Sequence, residues 1–326
     1  MNAPTRFGPK RLRRYFGPIW LVFLVALIVV YVATRWSELK DIGTVIAATD
    51  PRWIVVAGFL ELLILILMAK MYQSLFRSLG HSVPLYAILS AYLRGLAAAA
   101  LIPFGGPVSV IIFTRAMTRR NVPMNDALYA SALAILSGFA SFLILMTPLL
   151  SLLYFTENLP SLFLVATLAL AGIFALTTGV IAIVLHWDRP PKWLSRRVPS
   201  QISDFVRQAR SHQFTAHQLG RPLILSLGVD LCGALMLYTA LVAVGQRSGI
   251  LAAFAAYQVE MLFNVVTPLF QGIGITDLSI TVALNGLGIS VSSAATATIV
   301  YRVWDLWVPL LAGAALHLLS RRRAGN

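Results

Sequence analysis

Residues 16–33 read FGPIWLVFLVALIVVYVA, eighteen residues without a charge. At about 1.5 Å per residue such a run is about 27 Å long as a helix, close to the ~30 Å hydrocarbon core of a bilayer. Comparable runs follow at Trp53–Phe76, Met124–Tyr154, Leu162–His186, Pro222–Val244 and Ile289–Leu319. Inside hydrocarbon each segment must satisfy its own backbone groups, so these runs are expected to be helices. Hydrophobic residues make up 58% of the chain and charged residues 12%, a balance that no soluble domain needs. The expected fold is an all-α polytopic membrane protein. The longest segment between the runs, Trp187–Gly220, leaves no room for a separate soluble catalytic domain.

A net charge of +14 raises nucleic acid as a partner, but the distribution argues against it. The basic residues stand beside apolar runs: Arg11, Arg13 and Arg14, then Arg115, Arg119 and Arg120, then Arg189 through Arg221, then Arg321, Arg322 and Arg323. That is the pattern of cytoplasmic loops. It places residues 1–15 and 321–326 inside as basic termini around one transmembrane domain, residues 16–320. The run at Phe16–Ala33 is long for a signal peptide and no clear small-residue cleavage site follows it, so it reads as a retained first helix. Residues 187–220 form a basic cytoplasmic linker containing Trp193, Leu194, Ile202 and Phe205. That linker fits an interfacial helix on anionic lipid and equally a solvated connection.

Two further apolar stretches are broken. Pro84–Ile102 stops at Pro103-Phe104-Gly105-Gly106 and resumes as Phe104–Met117; Ile250–Pro268 stops before Gln271-Gly272-Ile273-Gly274 and resumes as Gly272–Asn285. The second arm of the first pair has 14 residues, about 21 Å as a helix and too short to cross. The pairs are therefore expected to be re-entrant helical hairpins. They also correspond: Ala87, Ala91, Tyr92 and Pro103 fall on Ala252, Ala256, Tyr257 and Pro268 at an offset of 165, and Gly105 on Gly272 at 167. The charge pattern brings the first pair in from the cytoplasm and the second from the opposite face. The expectation is six spans and two hairpins in inverted-topology repeats, residues 53–154 and 222–319, with both termini cytoplasmic. Broken segments at matching places of inverted halves point to a site near the bilayer midplane.

Seven charges lie well inside these segments: Glu61, Arg94, Asp230, Glu260, Asp277, Arg302 and Asp305. At about 3 kcal/mol each on insertion scales, leaving all seven in lipid would cost roughly 20 kcal/mol. They are expected to face protein or a wet cavity. Arg94 and Glu260 occupy nearly equivalent places in the two pairs. Arg94 has two readings: a contact for phosphate, or one half of an ion pair that pins the pairs together. Arg302 and Asp305 are i, i+3 neighbours and can pair. Asp277 either holds a cation or proton or caps the helix that starts beside it. Glu61 and Asp230 are isolated acids on spans two and five, candidates for ion coupling or for pairing with an arginine. Pro103 and Pro268 free backbone carbonyls, and Gly105, Gly106, Gly272 and Gly274 allow close approach. Asn264 and Gln271 add uncharged polar groups beside the second break.

No Walker A pattern, HExxH, Cys/His cluster or G-x-S-x-G elbow is present, and Cys232 is the single cysteine. No cofactor, no metal and no enzymatic activity are expected.

At its two breaks the chain resembles the flippase-like membrane domain of the lysylphosphatidylglycerol synthase superfamily. The residues that carry the resemblance are Leu101 through Gly106 followed by Arg115, then Thr267-Pro268 through Gly272-Ile273-Gly274-Ile275 to Asp277, then Arg302. The family more often has Glu where this chain has Asp277, Gly where it has Gln271, and an Arg in the stretch 134–137, here Ala-Ile-Leu-Ser. The resemblance covers roughly residues 15–320. It implies a lipid flippase or transporter in a bacterial inner membrane, with anionic phospholipid, hopanoid or polyprenyl/glycolipid as partner and a homo-oligomer as an option. The chain ends at Asn326 without the family's aminoacyl-transferase domain, so aminoacyl-lipid synthesis is not implied. The rival expectation is a membrane enzyme or accessory subunit in a lipid-linked sugar or lipid-modifying pathway.

Overall fold

The computed structural model describes residues 47–100, 105–156, 172, 175, 176, 179, 216–246, 249–266 and 274–324. Outside them lie the expected first span, most of the fourth, the linker up to residue 215, and the break residues Pro103, Pro268, Gln271 and Gly272. Among the described residues the regular secondary structure is all helix, with no strand. The helices are α1 (Pro51–Ser78), α2 (Leu85–Ala100), α3 (Gly105–Thr118), α4 (Met124–Thr156), α5 (Ala216–Ala243), α6 (Ile250–Val266), α7 (Ile275–Gly286), α8 (Val291–Arg302) and α9 (Val308–Ala324). A single π-helical turn, Val303–Trp307, joins α8 to α9. Among the described residues four stretches are long and apolar enough to cross a membrane: Pro51–Ser78, Met124–Leu149, Gly220–Ala243 and Val291–Leu319. Large apolar side chains such as Val55, Phe59, Leu62, Ile224 and Leu311 are left on the outside of the bundle, where lipid rather than water can take them.

The ends of the helices follow local signals. Asp50 accepts a hydrogen bond from Arg52 N–H at 2.9 Å, with Pro51 opening α1, and Ser290 caps α8. One difference from expectation is α5, which begins at Ala216 rather than at Pro222. The apolar pattern starts at Pro222, but a proline early in a membrane helix is tolerated when its surroundings satisfy the freed backbone.

Contacts at the two ends of the bundle orient the helices. Asp50 N–H donates to the Ala243 carbonyl at 2.9 Å, and Gln246 Nε2 donates to Ser293 Oγ at 3.1 Å. The start of α1, the end of α5 and the start of α8 therefore share one end. Ile250 follows shortly after Gln246, and Asn285 Nδ2 donates to the Ile289 carbonyl at 2.9 Å, so α6 begins and α7 finishes at that end too. At the other end His81 Nε2 lies 2.7 Å from Asp126 Oδ2, and the Arg120 guanidinium stacks over the Tyr86 ring at 5.2 Å. The α2–α3 pair opens there. The two helix pairs thus open toward opposite ends of the bundle.

The packing comes in matched sets. α1 and α5 make the most extensive contact; α2 packs on α3 and α6 on α7; α1 meets α4 as α5 meets α8; α2 lies along α9 as α6 touches α4. One core cluster, with Phe76, Ile88, Phe113 and Met117, belongs to α1–α4. A second, with Leu237, Tyr257, Ile280 and Tyr301, belongs mainly to α5–α8. Alanines such as Ala87, Ala91, Ala253 and Ala256 are fully or almost fully buried, and small residues let membrane helices approach closely.

Candidate functional site

The site is built around Arg302, the last residue of α8, which is 6% exposed. Its Nε donates to Asp277 Oδ1 and its Nη2 to Thr276 Oγ1. Its Nη1 donates to Asp305 Oδ2 at 2.9 Å and lies 3.1 Å from Glu260 Oε1. One guanidinium thus gathers three carboxylates from α6, α7 and the π-turn. Arg is suited to this because its planar fork presents five donors in fixed directions. The π-turn carries Asp305 back beside Arg302, and such turns are frequent at functional sites.

Asp277 uses both oxygens. Oδ1 takes the Arg302 bond, while Oδ2 accepts from Gly274 N–H at 2.9 Å. Asp277 therefore both caps α7 and pairs with Arg302. Gly274 has φ +87°, a conformation glycine adopts without Cβ strain. Glu260 is fully buried and its only described cationic neighbour is Arg302.

A cavity of about 280 Å³ lies beside this cluster. Its polar lining includes Arg302 and Asp305, Glu61 from α1, Asp230 from α5, Asn264 from α6, and the tyrosines Tyr92 and Tyr257. Both helix pairs reach it, through Tyr92 and through Tyr257 and Asn264. Asp230 is buried and held by neutral donors: Ser141 Oγ from α4, and Tyr257 Oη at 3.3 Å. Glu61 is 3% exposed.

The structure does not bring Arg94 to Glu260. Side chains on a helix lean toward its N-terminus, and Arg94 follows that rule. Its Nε donates to the Ser90 carbonyl at 2.9 Å and its Nη2 to Ser90 Oγ at 3.4 Å. It therefore points toward the open end of α2–α3, where Arg119 and Arg120 lie. The cation that meets Glu260 is Arg302. Arg115 is exposed in the last turn of α3. Gly105 is buried against the Ala99 carbonyl, while a Cβ on Gly106 would meet nothing within 4 Å.

Four contributors were not among the expected site residues. Thr276 and Ser141 carry no signal beyond adjacency to Asp277 and position on an apolar helix. Tyr92 and Tyr257 did carry one, since they coincide in the repeat offset. Gly58, against the Trp304 ring, and Gly233, against the Tyr257 ring, let α1 and α5 close on the cavity walls.

The family described as the lysylphosphatidylglycerol synthase TM region matches the chain over residues 19–313. Among curated proteins none matches it.

Proposed function

The chain belongs to the lysylphosphatidylglycerol synthase transmembrane-region family, and from that premise we propose that it carries lipid head groups between the two leaflets of a membrane. The observation that carries this reading is the charged cavity, reached by two helix pairs that open at opposite ends of the bundle. A head group must lose bulk water midway across a bilayer, and a polar cavity there replaces that hydration while acyl tails stay in lipid. The matched contacts of α1–α4 with those of α5–α9 support an arrangement of six spans and two re-entrant hairpins in inverted-topology repeats. In this reading the membrane is a bacterial inner membrane and both termini are cytoplasmic. Arg94, turned toward the open end of α2–α3, meets an incoming phosphate. Arg302 and its carboxylates form the inner station.

Leaflet exchange in proteoliposomes tests the proposal, with labelled phospholipids, polyprenyl lipids and hopanoids offered in turn. The expected result is faster exchange of at least one class, lost in Arg94→Ala protein that remains folded. No acceleration for any class would end the transport reading in favour of an accessory subunit. Accessibility tags in the segments 155–160 and 187–215 check the topology. Finding both on one side would remove the inverted repeat.

A further inference from the structure

Glu61 and Asp230 are the interior charges that the head-group path leaves without a role, and of the two only Asp230 has hydroxyl partners among the described residues. Glu61 stands in the middle of α1, is 3% exposed and lines the cavity. Among the described residues it makes no hydrogen bond and no ion pair. The groups that share the cavity with it are Tyr92 from α2, Asp230 from α5, Tyr257 from α6, Arg302 from α8 and Asp305 from the π-turn; α4 presents only uncharged Ala134 and Gly138 there. Arg302 cannot serve Glu61, because its nitrogens are committed to Asp277, Asp305, Glu260 and Thr276. Asp230 has hydroxyl partners and no cation.

The charge count is therefore unbalanced. Glu260, Asp277 and Asp305 share one guanidinium, while Glu61 and Asp230 line the cavity with no cation of their own among the described residues. An ionised carboxylate buried without a cation is costly, and a proton removes that cost. A metal ion is the other way to restore balance, but among the described residues no three Asp, Glu, His or Cys side chains converge to hold one. A proton needs only one carboxylate, and Glu61 stands in the wall of a polar cavity.

We propose that Glu61 binds and releases a proton in this cavity, and that this proton is the ion coupled to lipid movement. The proton passes between the Glu61 carboxyl and cavity water, with no other bond made or broken. Its coupling to transport rests on the lipid-transfer reading above; the protonation itself does not.

Infrared difference spectra of the full-length protein in lipid, taken across a pH step, test the protonation directly. The expected result is a carbonyl band of a protonated carboxylic acid that disappears in Glu61→Gln and persists in Asp230→Asn. A band unchanged in Glu61→Gln would overturn the assignment. Should that variant fail to fold, Glu61→Asp keeps a carboxyl group and is expected to shift the band; no shift would overturn it equally. Lipid exchange under an imposed pH gradient then tests coupling. Acceleration by the gradient is expected in wild type and lost in Glu61→Gln; exchange indifferent to the gradient would remove the coupling half. If no lipid exchanges at all while the band behaves as expected, the transport reading fails and the proton site stands.

Discussion

Both helix pairs pack into apolar cores, but the α2–α3 pair adds backbone set closely against glycine, whereas α6–α7 adds carboxylates drawn to a guanidinium. Gly95 faces the Ser109 carbonyl, Gly105 the Ala99 carbonyl, and Gly313 of α9 the Leu93 carbonyl. In the second pair Glu260 and Asp277 are both drawn to Arg302. The two stretches share one plan in sequence, an apolar helix, a Pro/Gly break and a short returning arm. Beyond that shared packing they are nevertheless attached to the bundle by different forces. Attachment by close approach is insensitive to charge and intolerant of one added methyl group. Attachment by charge accepts small changes of volume and fails when the cation is removed.

The largest effect that separates the pairs is expected from Arg302→Ala. It strips three carboxylates of their cation, and breaking a buried ion pair costs about 3–5 kcal/mol. Thermal unfolding in detergent should show a large loss of stability. Arg302→Lys should recover part of it, since an ammonium supplies charge without the fork. A stable Arg302→Ala protein would mean that the second pair is held by packing alone.

Next come the glycines that meet the backbone of the first pair. Gly105→Ala and Gly313→Ala each push a methyl group into a backbone carbonyl, and overpacking of this kind costs about 1–3 kcal/mol. Gly106→Ala, one residue away with nothing within 4 Å, is the control and should unfold at the wild-type temperature. Equal behaviour of Gly105→Ala and Gly106→Ala would refute the steric account.

Smaller again is Ser141→Ala, which deletes one of the two hydroxyls on Asp230. The expected loss is about 1 kcal/mol, the usual worth of such a bond. Denaturant or thermal titration of the single variant measures it. No change would show that Tyr257 alone satisfies Asp230.

The smallest stability effect is expected for Arg94→Ala. Among the described residues its hydrogen bonds go to one residue, Ser90, on its own helix, and a partly exposed interaction of this sort is worth less than about 1 kcal/mol. Lipid exchange should fall all the same if Arg94 meets phosphate. A large drop in stability would instead give Arg94 a structural role in the first pair.

Much of the site was legible in the residues. The i, i+3 spacing of Arg302 and Asp305 announces their pairing. Asp277, placed just after Gly274, announces a cap. Interior charges stand out because apolar runs have so few. The symmetric match of Arg94 with Glu260 was also legible, yet it suggested a meeting that does not occur. Repeat offsets place backbones; they do not say which way a long side chain turns, and Arg94 turns back along α2 to Ser90.

The sequence by itself determined that this chain is a helical membrane protein, where four of its long apolar helices run, and that two shorter stretches are interrupted by Pro and Gly. These properties are local: hydropathy, segment length and the chemistry of Pro and Gly act within a few turns of chain. Only the tertiary structure decided that Glu260, Asp277 and Asp305 share Arg302, and that Glu61 faces the same cavity as Asp230 and Tyr257. Those outcomes depend on the rotation and depth of each helix against its neighbours. Small residues such as Gly58, Gly233 and Gly313 set both by how closely they let the helices approach.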